Sequence, residues 1–281
     1  MEALGSILSR GNATARTCKE FTGREYVQGQ VDAMNGIDGD PNNADGYDCK
    51  ICKNKEVVFF VKEDASGVSY SSRQCKCVEI RRSIRRMQRS GLKNIIKDYT
   101  FAKYEAVEPW QKSIKDAAMR YAQDQSGWFF IGGQSGAGKT HICTAICREF
   151  LLAGHPVAYM LWRDDAAKLK GLVTDYELQE PLMKRFKETK VLYVDDLFKT
   201  GKGADGKKQL PTPADIGIAF EILNYRYNNP DLLTIISSEL TADELLEIDE
   251  AVGGRIYEKS VVLNLSPDPS RNYRLRKAVT I

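Results

Sequence analysis

A chain of 281 residues with 42 % apolar content has material for one large domain or two smaller ones. No run approaches the roughly eighteen apolar residues of a transmembrane helix, and the opening MEALGSILSR lacks a basic stretch followed by a long apolar one, so neither a membrane span nor a secretory signal is expected and the chain is assigned to the bacterial cytosol. The net charge of +3 is unevenly spread: residues 1–48 hold four Lys/Arg against eight Asp/Glu, whereas residues 73–97 hold nine Lys/Arg against Glu79 alone.

Residues 3–34 carry short amphipathic patterns, such as Leu4, Ile7 and Leu8, and are expected to form one or two helices. NGIDGDPNNADG at 35–46 reads as a turn-rich linker. Next come Cys49, Cys52, Cys75 and Cys77, spaced C-x2-C-x22-C-x-C. Four thiolates on two short knuckles suit tetrahedral Zn²⁺, and the strand-like EVVFFV and VSY between them, joined by ASG, would form the ribbon. Four cysteines leave no open coordination position, so the expected role is structural; unligated thiols are the plainer alternative. Seven cysteines in a cytosolic chain argue against a disulfide framework. Cys18 stands apart, and Cys143 and Cys147, one helical turn apart, read as small core residues.

Residues 78–97 predict a helix with an apolar stripe (Ile80, Ile84, Met87), a basic face (Arg81, Arg82, Arg85, Arg86, Arg89, Lys93, Lys97) and a break at Gly91. From residue 98 helices alternate with apolar strands at 127–132, 157–161, 190–195, 232–237 and 260–265, which predicts a five-stranded, mostly parallel sheet covered on both faces. GGQSGAGKT at 132–140 follows the first of these strands and opens a helix, and from Gly133 to Thr140 it reads G-x-x-x-x-G-K-T. In that context Gly133, Gly136 and Gly138 let backbone N–H groups converge on phosphate oxygens, Lys139 reaches the β- and γ-phosphates, and Thr140, with His141 after it, opens the helix and ligates Mg²⁺. VLYVDDLF at 191–198 runs a buried strand into two acids. Asp195 would complete the Mg²⁺ shell, and Asp196 would orient and polarise the attacking water or, more simply, cap the following loop. A later strand ends in TIISSEL, where Ser237, Ser238 or Glu239 could face the phosphate; alternation alone leaves the choice open.

Two basic features are candidates for single-stranded DNA: the helix with Arg81 and Arg85, and the loop KTGKGADGKK at 199–208 with Lys199, Lys202, Lys207 and Lys208. Trp162, near Arg163, Lys168 and Lys170, is a candidate stacking platform. Solvated faces, a loose insertion and a core tryptophan explain the same residues equally well. In DEAVGGRIYE at 249–258, two glycines precede Arg255, and a bend of the backbone is expected there.

Taken in order, GGQSGAGKT, YVDDLF, ILNYRY, TIISSEL, DEAVGGRIYE and the terminal NYRLRK resemble the AAA+ replicative helicase loaders of the DnaC/DnaI type, phage-encoded forms in particular, over about residues 98–281. The resemblance implies an AAA+ P-loop NTPase domain at 98–281, preceded at 1–97 by a helicase-interaction region made of the zinc unit at 49–77 and a basic linker helix at 78–97. It implies an ATPase that binds a hexameric helicase and helps place it on single-stranded DNA, self-associating as a ring or spiral. In the family the arginine of a G-x-R-I-like segment is a finger that reaches the γ-phosphate held by the next subunit, which is the role implied for Arg255. There are departures. Glu239 stands where many relatives have Asn, so the sensor role passes to Ser238. Asp196 is shorter than the usual Glu, which implies slow hydrolysis. Only sixteen residues follow the last strand, so no helical lid is expected, and Arg274 is a weak second sensor.

Other readings are a transposition-associated ATPase of the IstB type, a small-molecule kinase, and a zinc-stabilised DNA-binding adaptor whose nucleotide is only structural. The cysteine unit argues against the first, and Arg255 with the zinc unit and basic helix argues against the second.

Overall fold

A computed structural model describes residues 23–40, 45–201 and 209–273. The described residues divide into two compact units, 23–39 with 50–75 and those of 40–49 with 76–273. The stretch with Leu4, Ile7, Leu8 and Cys18, the loop lysines Lys202, Lys207 and Lys208, and Arg274 all lie outside the described residues.

In the first unit helix α1 (Gly23–Gly36) packs on an antiparallel hairpin, β1 (Val57–Asp64) with β2 (Gly67–Gln74). Asn35 ties helix to strand: its Nδ2 donates to Phe59 O at 2.9 Å and its Oδ1 accepts from Phe59 N at 3.0 Å. Lys53 and Asn54, just after Cys52, have positive φ angles of 50° and 68°, so the chain doubles back tightly. Gly39 approaches this turn so closely that a Cβ there would sit 2.5 Å from the carbonyl carbon of Asn54.

The second unit is a five-stranded parallel sheet with helices on both faces. In chain order its elements are α2 (Cys77–Arg89), α3 (Ile95–Asp98), α4 (Pro109–Asp124), β3 (Trp128–Gly133), α5 (Lys139–Leu152), β4 (Val157–Leu161), α6 (Trp162–Gly171), α7 (Tyr176–Glu188), β5 (Val191–Leu197), α8 (Pro213–Tyr227), β6 (Leu233–Ser238), α9 (Ala242–Ile248), α10 (Glu250–Lys259) and β7 (Ser260–Leu265). The strand order is β4-β5-β6-β3-β7. Strands flanked by helices on both sides carry apolar runs, and β3 and β6 are buried at every position, their polar residues included. Alternation still sorts their side chains: Phe129, Ile131, Tyr159, Tyr193 and Ile235 face α2 to α5, while Trp128, Phe130, Met160, Leu192, Val194 and Ile236 face α6 to α10.

The basic helix expected as a linker is α2, and its stripe of Ile80, Ile84 and Met87 is buried in the core of the α/β unit. Arg81 goes in with it. It is 1 % exposed and pairs with Asp45 at 2.6 Å while donating to Tyr47 O at 2.9 Å. Its assignment to a DNA surface is therefore corrected, because removing either partner of a buried pair costs roughly 3–5 kcal/mol and such a side chain stays inside.

Arg226 on α8 is fully buried and has no carboxylate partner among the described residues. Its guanidinium donates to Thr234 Oγ1 (2.9 Å) and to carbonyls at the starts of β5 and β6, including Leu233 O at 2.6 Å and Thr189 O at 2.9 Å. Burial lowers its pKa to about 9, which leaves it charged at neutral pH. It joins the two strands at the end of the sheet opposite the site described next.

Candidate nucleotide site

In the strand order β6 lies between β3 and β5, so the carboxyl ends of three neighbouring strands converge. The loop after β3 has positive φ at Gly133 (98°), Gly136 (76°) and Gly138 (86°). Gly133 is also sterically required, since a Cβ would come within 2.0 Å of the Leu265 carbonyl oxygen; at Gly136 and Gly138 a Cβ would meet side-chain atoms, Asn272 Oδ1 at 2.0 Å and the Tyr104 ring at 3.1 Å, and the positive φ is what favours glycine. α5 begins directly after, with its first-turn N–H groups at the loop. Lys139 is 6 % exposed and donates to Gly133 O (2.7 Å) and Gln134 O (2.8 Å). Burial lowers its pKa, against the favourable charges of Asp196 and Glu239. His141 accepts edge contacts from Tyr99 and Tyr104, with ring centroids at 5.5 and 5.6 Å, and its Nε2 lies 3.2 Å from Thr100 O. The buried Tyr104 hydroxyl has no hydrogen-bond partner among the described residues. An orphaned polar atom beside a glycine cradle at a helix start fits a nucleotide.

Thr140 Oγ1 lies 3.4 Å from Asp195 Oδ1, which joins the end of β5 to the loop. Asp195 is 4 % exposed and surrounded by hydroxyls. Tyr193 donates to Oδ1 at 2.7 Å, Ser237 to the same oxygen at 2.6 Å, and Tyr159 to Oδ2 at 2.8 Å. Burial first, and then the charge of Asp195, raises the pKa of both phenols, so each stays a donor. The two tyrosines were not singled out from the sequence. The signal was available, since Tyr193 lies two residues before Asp195 on the same strand face and pairs with Tyr159 in register. A carboxylate held by hydroxyls beside a threonine at a helix start suits Mg²⁺, a hard cation that takes oxygen ligands.

Asp196 sits in the left-handed region (φ 59°), as does Phe198 (φ 58°), after a register irregularity between Val194 and Leu197. A non-glycine held there stores strain, and such positions cluster at functional sites. The Asp196 N–H donates to Ser237 Oγ at 3.1 Å, and its carboxylate pairs with Lys199 at 2.7 Å. Ser237 thus bridges the two acids. Ser238 does not reach them: it is fully buried, donates to Leu197 O at 2.8 Å and accepts from Leu240 N at 3.1 Å. Ser238, expected as the sensor, therefore faces away from the acids, and Ser237 is the serine of this strand end that reaches them.

The expected bend at Gly253-Gly254 is absent, since α10 runs unbroken through both. Gly253 instead marks a helix crossing, where a Cβ would lie 2.6 Å from Leu246 N. Arg255 is half-buried. Its Nε and Nη2 donate to Asn224 Oδ1 (3.1 and 2.9 Å), Nη1 donates to Ala251 O (2.7 Å), and the group lies over Phe220 and Tyr227. Trp162 is 3 % exposed and packs edge-on against Phe198, so it is no open stacking platform. Arg85 is exposed and lines a shallow groove with Arg89 and Lys93.

Cys49, Cys52, Cys75 and Cys77 are all buried, and their sulfurs lie within 4.8 Å of one another. Tetrahedral Zn²⁺ with Zn–S bonds of about 2.3 Å places sulfurs about 3.8 Å apart, so the cluster fits one ion. No helix among the described residues is long and apolar enough to cross a membrane.

A P-loop, an adjoining strand that ends in two acids and a polar strand end between them define a P-loop NTPase fold of the AAA+ type. A crystal structure of DnaI shares this fold, with a TM-score of 0.51 at 18 % identity over 60 % of this chain and 92 % of that one. The chain belongs to the family of XkdC, a protein of the phage-like element PBSX of Bacillus subtilis, to which it is 31 % identical over 228 residues, covering 77 % of this chain and 81 % of XkdC. It is also 26 % identical over 148 residues to the replicative helicase loader DnaC of Escherichia coli, covering 51 % of this chain and 59 % of DnaC. No protein-family model matches the chain.

Proposed function

We propose that this protein is a helicase loader that binds ATP with Mg²⁺, hydrolyses it slowly and helps place a replicative helicase on single-stranded DNA. The observation that carries the reading is the approach of Thr140 to Asp195 beside a cradle of three positive-φ glycines, in a chain related to a named helicase loader. Gly133, Gly136 and Gly138 with Lys139 would hold the phosphates, and Thr140 with Asp195 would hold Mg²⁺. Bound Mg²⁺ supplies charge neutralisation at the β- and γ-phosphates. Asp196 would orient the attacking water, with Ser237 fixing its backbone. Tyr104 and His141 would meet the rest of the nucleotide. Arg255 would serve the site of a neighbouring copy in a ring or spiral. Arg85 and Lys199 remain the DNA candidates among the described residues. Zn²⁺ on the four cysteines would stabilise the N-terminal region, 1–97 in the sequence, read as the part that meets the helicase.

Lys139→Ala tests the site. Tight binding of a fluorescent ATP analogue should be lost while the melting temperature stays near that of the native protein. An unchanged affinity would remove the phosphate assignment. Co-purification of the native protein with a hexameric helicase tests the partner separately.

A further inference from the structure

The groups that Arg81 meets inside the protein all flank cysteines of the cluster. Cys77 is the first residue of α2, and Arg81 follows it by one helical turn on the same face. The guanidinium donates to the Cys77 side chain, to Asp45 Oδ1 at 2.6 Å and to Tyr47 O at 2.9 Å. It also lies over the Tyr47 ring, 5.6 Å from the centroid. Asp45 and Tyr47 stand shortly before Cys49 in the chain. Asp45 Oδ1 further accepts the Tyr47 N–H at 3.0 Å across Gly46, whose φ is 73°, so the chain turns tightly just before that cysteine.

Arg81, Cys49 and Cys77 are all buried, and both cysteines belong to the α/β unit, as do Asp45 and Tyr47. One side chain therefore ties the segment that enters Cys49 to the helix that leaves Cys77. A guanidinium suits this task because it offers five N–H donors in a rigid plane and can meet three acceptors at once. The helix that carries it is itself fixed, since Ile80, Ile84 and Met87 are buried in the core that also holds Ile142 and Ile146 of α5.

We propose that Arg81 is a positioning residue of the metal centre, which holds Cys49 and Cys77 in the arrangement the ion needs and so sets the affinity of the cluster without ligating the ion. The proposal rests on the reading of the four cysteines as a Zn²⁺ site. A ligand already oriented by a hydrogen bond loses less freedom when the ion binds, and partners of this kind are typically worth tenfold to a hundredfold in metal affinity. Pairing with Asp45 alone would make Arg81 a brace for the turn, with an effect on stability and none on the metal.

The test uses the full chain, freed of metal with a chelator under reducing conditions. Co²⁺ is titrated in and its absorption in a tetrahedral thiolate site is followed, and Zn²⁺ affinity is read by competition with a chromophoric chelator. Arg81→Lys keeps the charge and loses the planar fork. It should bind both ions roughly tenfold to a hundredfold more weakly than the native protein, with a shifted cobalt spectrum. Asp45→Leu combined with Arg81→Met replaces the buried pair by apolar groups of similar size, an exchange that is often neutral for stability, and should weaken metal binding to a similar extent. Ile84→Val trims the same helix on its buried side. It should lower the melting temperature and leave metal affinity within about twofold of native. Binding of a fluorescent ATP analogue at native affinity verifies that the α/β unit of each variant is folded. If the folded Arg81 variants bind Zn²⁺ as the native protein does, or if Ile84→Val weakens binding as much as they do, Arg81 only braces the fold and the proposal is overturned. If the native protein takes up neither ion, the zinc reading fails and takes the proposal with it, a result distinct from equal binding by native protein and variants.

Discussion

At the scale of single residues, the site turns on which serine of β6 faces the acids. Ser237 Oγ donates to Asp195 and accepts the Asp196 N–H, whereas Ser238 Oγ is spent on Leu197 O and Leu240 N. Ser237→Ala should therefore lower ATP turnover by roughly tenfold to a hundredfold while ATP-analogue binding persists, and should raise the Mg²⁺ concentration needed for half-maximal turnover. Ser238→Ala should leave turnover near native and cost about 1 kcal/mol of stability in a thermal melt, the usual worth of a hydrogen bond. The opposite pattern would return the sensor role to Ser238. The sequence left this choice open for a physical reason. Period-two alternation carries the facing of side chains along a strand, but the β5–β6 pairing shifts between Val194 and Leu197, so counting from the apolar core across that shift gives no secure face. The glycines of the loop after β3 were legible because each takes a positive φ, and the acids at the end of β5 because they close an apolar run. Arg81 was misplaced because a helical stripe is wider than its apolar residues, and the hidden partner, Asp45, lies 36 positions away in a turn-rich stretch.

At the scale of elements, the five strands expected at 127–132, 157–161, 190–195, 232–237 and 260–265 are found at 128–133, 157–161, 191–197, 233–238 and 260–265. Long apolar runs between helical patterns are the strongest signal in such a sheet. Gly253-Gly254 was read as a bend because glycine weakens a helix, yet the structure separates the two. A Cβ on Gly253 would meet the backbone of Leu245 and Leu246 where α9 crosses α10, and one on Gly254 would meet nothing within 4 Å. The first glycine is there for packing, which no local pattern reveals. Gly253→Ala should accordingly destabilise the protein by about 1–3 kcal/mol, since backbone must shift to admit the methyl group. Gly254→Ala should leave stability unchanged or raise it by up to about 1 kcal/mol, because alanine gains helix propensity and meets no obstacle. Melting temperatures of the two variants decide it. Equal losses would mean that both glycines serve something other than the crossing.

At the scale of the whole molecule, the question is where Arg255 acts. Its partners among the described residues are Asn224, Ala251, Phe220 and Tyr227, none of which belongs to the phosphate site. These contacts hold the guanidinium on a face shared by α8 and α10, where Phe220, Tyr225 and Tyr257 are also exposed. An arginine oriented in this way on an aromatic face can serve a phosphate only if a second copy brings one to it, and that is a head-to-tail contact. Arg255→Ala should then bind ATP normally, since its own P-loop is intact, but should lose turnover and ATP-dependent assembly. Mixing it with Lys139→Ala should restore part of the turnover, because some interfaces would pair the sound P-loop of one variant with the sound arginine of the other. The mixture discriminates where the single variant cannot. If Arg255 only braces α10 through Asn224, its loss lowers the melting temperature and slows turnover without any neighbour being involved, and mixing restores nothing. The measurement is made with single-stranded DNA or helicase present, under conditions where the native protein assembles. Recovery above the sum of the two variants alone assigns Arg255 to its neighbour's site; no recovery under those conditions assigns it to its own fold.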